Sequence, residues 1–175
     1  LEYITGSPST KFGNLRTKNG RKKPYKLETI FIGNEMFGGW QIGHTDPITY
    51  AKKYDKFVKA LKKINYKFRF IAVGACSDHF GHWNELVLKN IKEKIDELSV
   101  HYYSIRTEKD KNPPNYKTRY LPTVAASTEV RIMLDRTIRE IKKYSDKNIK
   151  IAFDEWNTYV EAHTPYFIEN YNIAD

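Results

Sequence analysis

Short apolar runs rich in β-branched and aromatic residues alternate along this chain with amphipathic stretches of helical period, and that alternation commits it to a parallel sheet covered by helices. The runs are Thr29–Gly33, Phe68–Val73, Leu98–Ser104 and Ile149–Phe153, and Leu1–Ile4 reads as a fifth. The first helix is expected to start at Asp46, a good N-cap, with Pro47 at the first helical position. Tyr50, Tyr54, Phe57, Leu61 and Ile64 then recur at helical steps. A second helix is expected from about Asn84 to Glu97, with Leu88, Ile91, Ile95 and Leu98 in register. A third is expected from near Ser127, carrying Val130, Leu134, Ile138 and Ile141. Lys109–Asn115, with two adjacent prolines, reads as a surface loop.

An open doubly wound sheet and a closed (β/α)₈ barrel share this pattern, so the polar residues must separate them. Glu35 follows the run Thr29–Ile32 and Glu155 follows Ile149–Phe153, which puts both carboxylates at the carboxyl ends of strands. Two strands lie between them. In an open sheet in sequence order, three steps of about 4.8 Å would hold them roughly 14 Å apart. In a barrel the two strands face each other across the mouth, so the carboxylates converge. Chemistry by a carboxylate pair therefore favours a (β/α)₈ TIM barrel. A complete one takes about 250 residues, whereas this chain has 175 and about five strand-like runs. The expectation is the central part of one catalytic barrel domain spanning 1–175, with no second domain. Leu1 opens without an initiator Met or an apolar leader, which fits a processed or excised chain and leaves the compartment unread.

Composition narrows the class further. With 40% hydrophobic and 29% charged residues the chain has the make-up of a globular protein. Its longest apolar runs, near Phe68–Ala75 and Val100–Ile105, fall far short of the roughly 20 residues that cross a bilayer. The formal charge of +9 raises nucleic-acid binding. However, Lys52, Lys53, Lys56, Lys59, Lys62 and Lys63 flank one apolar stripe, as on a solvated helix face, and no nucleic-acid motif accompanies them. The lone Cys76 excludes an internal disulfide. Cys76, His79 and His82 are spaced like metal ligands but lack an evident fourth, so no metal and no cofactor is expected. Gly33, Gly38 and Gly39 are not followed by Lys-Ser/Thr and make no phosphate loop.

Breaking a glycosidic bond near neutral pH takes a proton for the leaving oxygen and a carboxylate to meet the positive charge that develops on the sugar carbon. Gly33-Asn34-Glu35 offers one carboxylate beside an amide suited to a sugar hydroxyl, and Asp154-Glu155-Trp156-Asn157 offers the other beside aromatic surface. His101-Tyr102-Tyr103 lies on a strand between them. Asp154 reads as a structural partner to a lysine or a loop amide.

These segments, with Trp40-Gln41-Ile42-Gly43-His44 and Ile71-Ala72-Val73-Gly74, resemble glycoside hydrolase family 51, the α-L-arabinofuranosidases of clan A. The stretch from Met36 to His44 is the most specific part of the match. The resemblance implies a retaining, exo-acting enzyme that releases terminal α-L-arabinofuranosyl groups from arabinose-containing polysaccharides or oligosaccharides. By motif position Glu35 matches the acid/base and Glu155 the nucleophile. Asn34 matches the residue that bonds the sugar 2-hydroxyl and Tyr103 the tyrosine that donates to the nucleophile. Trp40 and His101 are implied pocket neighbours. Tyr159 stands where many members carry Trp, and Glu2-Tyr3-Ile4-Thr5-Gly6 replaces a usual Glu-Tyr-Cys-Asn-Gly. The family also implies a homo-oligomer built by the full-length parent. Two other readings stay open: another clan A retaining glycosidase of endo-xylanase or endo-glucanase type, and a carbohydrate-binding barrel remnant without catalysis.

Overall fold

Four strands, Thr29–Ile32 (β1), Arg69–Val73 (β2), Glu97–Thr107 (β3) and Lys150–Glu161 (β4), form one sheet in the order β1-β2-β3-β4. Every neighbouring pair is parallel. The computed structural model describes residues 1–64, 67–76, 80–107 and 120–161, and of these 105–107, 120, 122–123 and 158–161 by backbone alone. The Lys109–Asn115 loop and His79 lie outside the described residues. Helices Pro47–Lys62 (α3), Trp83–Asn90 (α4) and Tyr120–Tyr144 (α5) make the crossovers, and Glu2–Thr5 (α1) and Lys11–Lys18 (α2) precede β1. Only part of a barrel is present.

β2 is buried along nearly its whole length. After exposed Arg69, Phe70, Ile71, Ala72 and Val73 are all buried, as in a parallel strand covered on both faces. Its carboxyl end is held by aromatic side chains. The buried Tyr50 hydroxyl accepts from the Val73 amide at 2.8 Å and donates to the Ile32 carbonyl at 2.7 Å, tying the ends of β1 and β2 together. Burial pushes the Tyr50 phenol far above its ordinary range, so it remains neutral. Trp83 donates to the Val73 carbonyl at 2.9 Å. Tyr50→Phe would leave two buried backbone groups unpaired, at about 1–3 kcal/mol each. Urea unfolding of the full-length protein is expected to show the midpoint lowered at unchanged slope. An unchanged midpoint would mean that water replaces the hydroxyl.

Sequence and structure part at identifiable places. Leu1–Ile4 is no strand: Glu2–Thr5 forms a short helix whose Glu2 carboxylate accepts from the Phe12 amide at 2.9 Å. Arg16, 0% exposed, donates to the Tyr3, Arg21 and Lys22 carbonyls and so clamps this helix pair, a tertiary demand that overrides the β-propensity of Tyr3 and Ile4. There are thus four strands among the described residues, not five.

α3 starts as expected, the Asp46 side chain accepting from Thr49 N at 2.8 Å. Its buried stripe is Tyr50, Ala51, Tyr54 and Val58, however, and Phe57 and Ile64 are exposed. Phe57 and Leu61 border an open apolar recess beside Leu27 and Phe31 at the β1 edge of the sheet. The six lysines of the charged face are all exposed.

α4 stops at Asn90, seven residues before Glu97. Ile91 and Ile95 are buried in a connection whose backbone is satisfied by side chains instead: Asp55 accepts from the Lys92 and Glu93 amides, and Lys147 donates to the Ile91 and Glu93 carbonyls. α5 begins well before Ser127, whose hydroxyl donates back to Val124 O at 3.3 Å inside the helix rather than capping it. Pro122 is tolerated in its first turn, where no intrahelical N–H is needed. Its buried residues are Met133, Thr137 and Ile141, while Ile138 is exposed.

Candidate active site

β1 ends at Ile32 and the chain turns at once. Gly33 has φ +96°, open to glycine without strain, and Glu35 has φ +44°, which is strained for a residue with a Cβ. The turn lifts Glu35 over the carboxyl edge, where its side chain is 15% exposed. Gly38 N donates to Glu35 O at 2.7 Å, and the loop folds Trp40 back so closely that a Cβ at Gly38 would lie 2.3 Å from the indole. Trp40 Nε1 donates to Glu35 Oε2 at 2.6 Å. The ring is otherwise 63% exposed and meets Phe37 and Phe80 edge-on.

On β3 the alternation of side chains brings Ser99, His101 and Tyr103 to one face, and Tyr102 on the other donates to Glu129 of α5. Glu155 is not at the end of its strand as the sequence suggested, because pairing with β3 carries β4 on to Glu161. From within β4 two consecutive acids, Asp154 and Glu155, reach the same face as His101. A register shift allows it: Val100 pairs with Phe153 but His101 with Glu155, which makes Asp154 a supernumerary, bulged residue. His101, 8% exposed, sits at the centre. Its Nδ1 lies 2.9 Å from Glu35 Oε1 and 3.4 Å from Glu155 Oε2, and its Nε2 is 3.2 Å from Ser99 Oγ and 3.7 Å from Asp154 Oδ1. Ser99 donates to Asp154 at 3.0 Å, and Tyr103 donates to Glu155 Oε1 at 2.6 Å. One oxygen each of Glu35 and Glu155, with His101 Nδ1, lie within 4.8 Å of one another. Such a set has the donor types for a divalent ion, but the carboxylates already receive N–H and O–H donors, as general acid/base and nucleophilic chemistry requires. They line an open cavity of about 880 Å³ with Phe37, Trp40, Cys76 and Phe80.

The structure thus brings together Glu35, Trp40, His101, Tyr103 and Glu155. Asn34 is exposed at the same edge, and its amide bonds no described residue. Tyr159 of β4 pairs with Ile105 of β3, and its side chain lies outside the described residues. Among the described residues Asp154 meets Ser99 and His101 rather than a lysine or a loop amide. Ser99 went unread as a site residue, although Ser-x-His-x-Tyr on a strand places all three on one face. Cys76 lines the cavity, and exposed His82 lies 4.0 Å from Glu85.

A parallel sheet with helical crossovers and its acids gathered at the carboxyl edge defines a barrel of the (β/α)₈ class, present in part. The chain belongs to the family described as the alpha-L-arabinofuranosidase 1 domain, whose profile matches residues 1–120. It is 31% identical to an intracellular exo-alpha-(1->5)-L-arabinofuranosidase of Bifidobacterium longum, over 91% of this chain and 29% of that protein. A Bacillus subtilis protein of the same description is 30% identical over 93% of this chain and 32% of its own length. The arabinose complex of the Thermotoga maritima alpha-L-arabinofuranosidase superposes with a TM-score of 0.72 at 30% identity, over 92% of this chain and 31% of that one. A family 51 alpha-L-arabinofuranosidase from Bifidobacterium longum gives 0.73 at 28% identity, over 91% and 32%. The chain therefore spans about a third of the length of these relatives. No helix among the described residues is long and apolar enough to cross a membrane.

Proposed function

We propose that residues 1–175 are the central part of one catalytic barrel domain of a retaining exo-α-L-arabinofuranosidase, with Glu35 as acid/base and Glu155 as nucleophile. One observation carries the reading: an oxygen of Glu35 lies within 4.8 Å of one of Glu155. That spacing suits the about 5–5.5 Å of carboxyl pairs in retaining enzymes and leaves no room for the water that separates inverting pairs by about 6.5 Å or more. Tyr103, donating to Glu155, supports the anion that attacks the anomeric carbon. Glu35 protonates the departing oxygen in the first step and deprotonates water in the second. Trp40 offers an exposed ring beside Glu35 and Asn34 an open amide for the sugar 2-hydroxyl, with His101 completing the contacts and Tyr159 assigned to substrate binding by its motif position alone. The reaction needs no cofactor, and the substrate is a terminal arabinofuranosyl group on a polysaccharide or oligosaccharide.

The full-length protein is expected to release 4-nitrophenol from the α-L-arabinofuranoside and not from the β-D-xyloside. It should shorten arabino-oligosaccharides one residue at a time. Internal cleavage of xylan or glucan would point to the endo-acting reading, and binding without turnover to a non-catalytic barrel.

A further inference from the structure

We propose that Asp154 and Ser99 are positioning residues that fix the proton of His101 on Nε2, so that its bare Nδ1 receives the acid proton of Glu35. The inference rests on the glycosidase reading and deepens it. It follows from counting donors. The ionised Asp154 carboxylate only accepts, so Ser99, 3.0 and 3.3 Å from its two oxygens, spends its single hydroxyl hydrogen there. The Ser99 oxygen is then free only to accept, and the ring nitrogen 3.2 Å away must be the donor. A neutral imidazole carries one N–H, which leaves Nδ1 with a lone pair. That lone pair faces Glu35 Oε1 at 2.9 Å and Glu155 Oε2 at 3.4 Å. Against two anions the arrangement is repulsive; with a proton on the nearer carboxyl it is a hydrogen bond.

The chain Asp154–Ser99–His101 therefore makes the two glutamates unequal: Glu35 holds the proton, and Glu155 stays ionised under the Tyr103 hydroxyl. The bulge makes this possible, because without the extra residue Asp154 would fall on the opposite face of β4 from Glu155. Among the described residues, the titratable and charged groups around His101 are Glu35 from the loop after β1, Asp154 and Glu155 on β4, and, lining the same cavity, Tyr102 and Tyr103 on β3, Cys76 after β2, and Glu129 and Arg136 on α5. In the first step the proton passes from Glu35 to the glycosidic oxygen as the bond from that oxygen to the anomeric carbon breaks and Glu155 bonds to the carbon. Glu35 is left as a carboxylate beside the bare Nδ1. That carboxylate takes a proton from the attacking water in the second step, which restores the resting pair. His101 keeps its Nε2 hydrogen throughout.

The test is nitrogen NMR of the full-length protein labelled with ¹⁵N-histidine, the His101 signals being those lost in His101→Gln. Wild type is expected to show Nε2 protonated and Nδ1 bare. In Asp154→Asn the side-chain amide can donate to Ser99, the hydroxyl turns toward the ring, and the hydrogen is expected to move to Nδ1. Turnover of an arabino-oligosaccharide, whose leaving group needs the acid, should then fall on the order of 10²-fold, while an activated aryl arabinofuranoside loses under about 10-fold. A merely structural role would slow both equally. An Nδ1–H tautomer or a doubly protonated ring in wild type overturns the proposal, as does an unchanged tautomer in Asp154→Asn or an equal loss on both substrates. Because the wild-type tautomer is read without turnover or any variant at position 154, a misfolded variant leaves the test intact. Absence of arabinofuranosidase activity in wild type would instead defeat the functional reading.

Discussion

Glu155→Ala in the full-length protein is expected to lower turnover by on the order of 10⁴-fold or more, for every arabinofuranoside and whatever its leaving group. The reason is that both halves of a double displacement pass through the bond between this carboxylate and the anomeric carbon. Without it no glycosyl-enzyme forms, and a better leaving group has nothing to be displaced by. Stability should change little. Glu155 is half-buried, and its loss removes one bond from the partly buried Tyr103 hydroxyl. Thermal unfolding near the wild-type midpoint, together with uniform loss on aryl and oligosaccharide substrates, is the expected pair of results. Loss confined to substrates with poor leaving groups would move Glu155 to the acid role.

The strands and the two candidate carboxylates were legible because each polar segment follows an apolar run, although only Glu35 lies past its strand's end, β4 continuing through Glu155 to Glu161. Glycine at 33 followed by Asn34 and Glu35 marks such an end. The parallel sequential order followed from the helical crossovers, and it holds throughout. Helix faces were less legible: Phe57 and Ile138 fit the helical period as well as Val58 and Ile141 do, and only packing decides which stripe is buried. Leu1–Ile4 misled because its composition favours a strand, while the clamp that makes it helical is Arg16, over ten residues away. The bulge at Asp154 was invisible. Register is a property of the pairing of β3 with β4, and Asp154-Glu155 alone reads as one residue inward and one outward. The partnership of Asp154 with Ser99 and His101 was hidden with it.

Glu35→Ala is expected to separate substrates that Glu155→Ala does not. With the proton donor gone, an alcohol leaving group should depart roughly 10²- to 10⁴-fold more slowly, the usual worth of general acid catalysis. A 4-nitrophenolate leaves without needing the proton, so the first step on the aryl arabinofuranoside should largely survive. The second step then becomes limiting, because no base remains to activate water, and a burst of nitrophenol followed by slow turnover is expected. Azide should relieve that block. It is a small anion that needs no deprotonation and fits the space vacated between Trp40 and His101, the two side chains that hold the Glu35 carboxylate. It attacks the covalent intermediate from the face the leaving group left, so the product should be the α-L-arabinofuranosyl azide, of the same configuration as the substrate. Glu155→Ala offers the opposite geometry. Azide entering that gap would attack the substrate itself from the far side and give the β-azide. The anomer isolated from each variant therefore assigns the roles, and a β-azide from Glu35→Ala would reverse them.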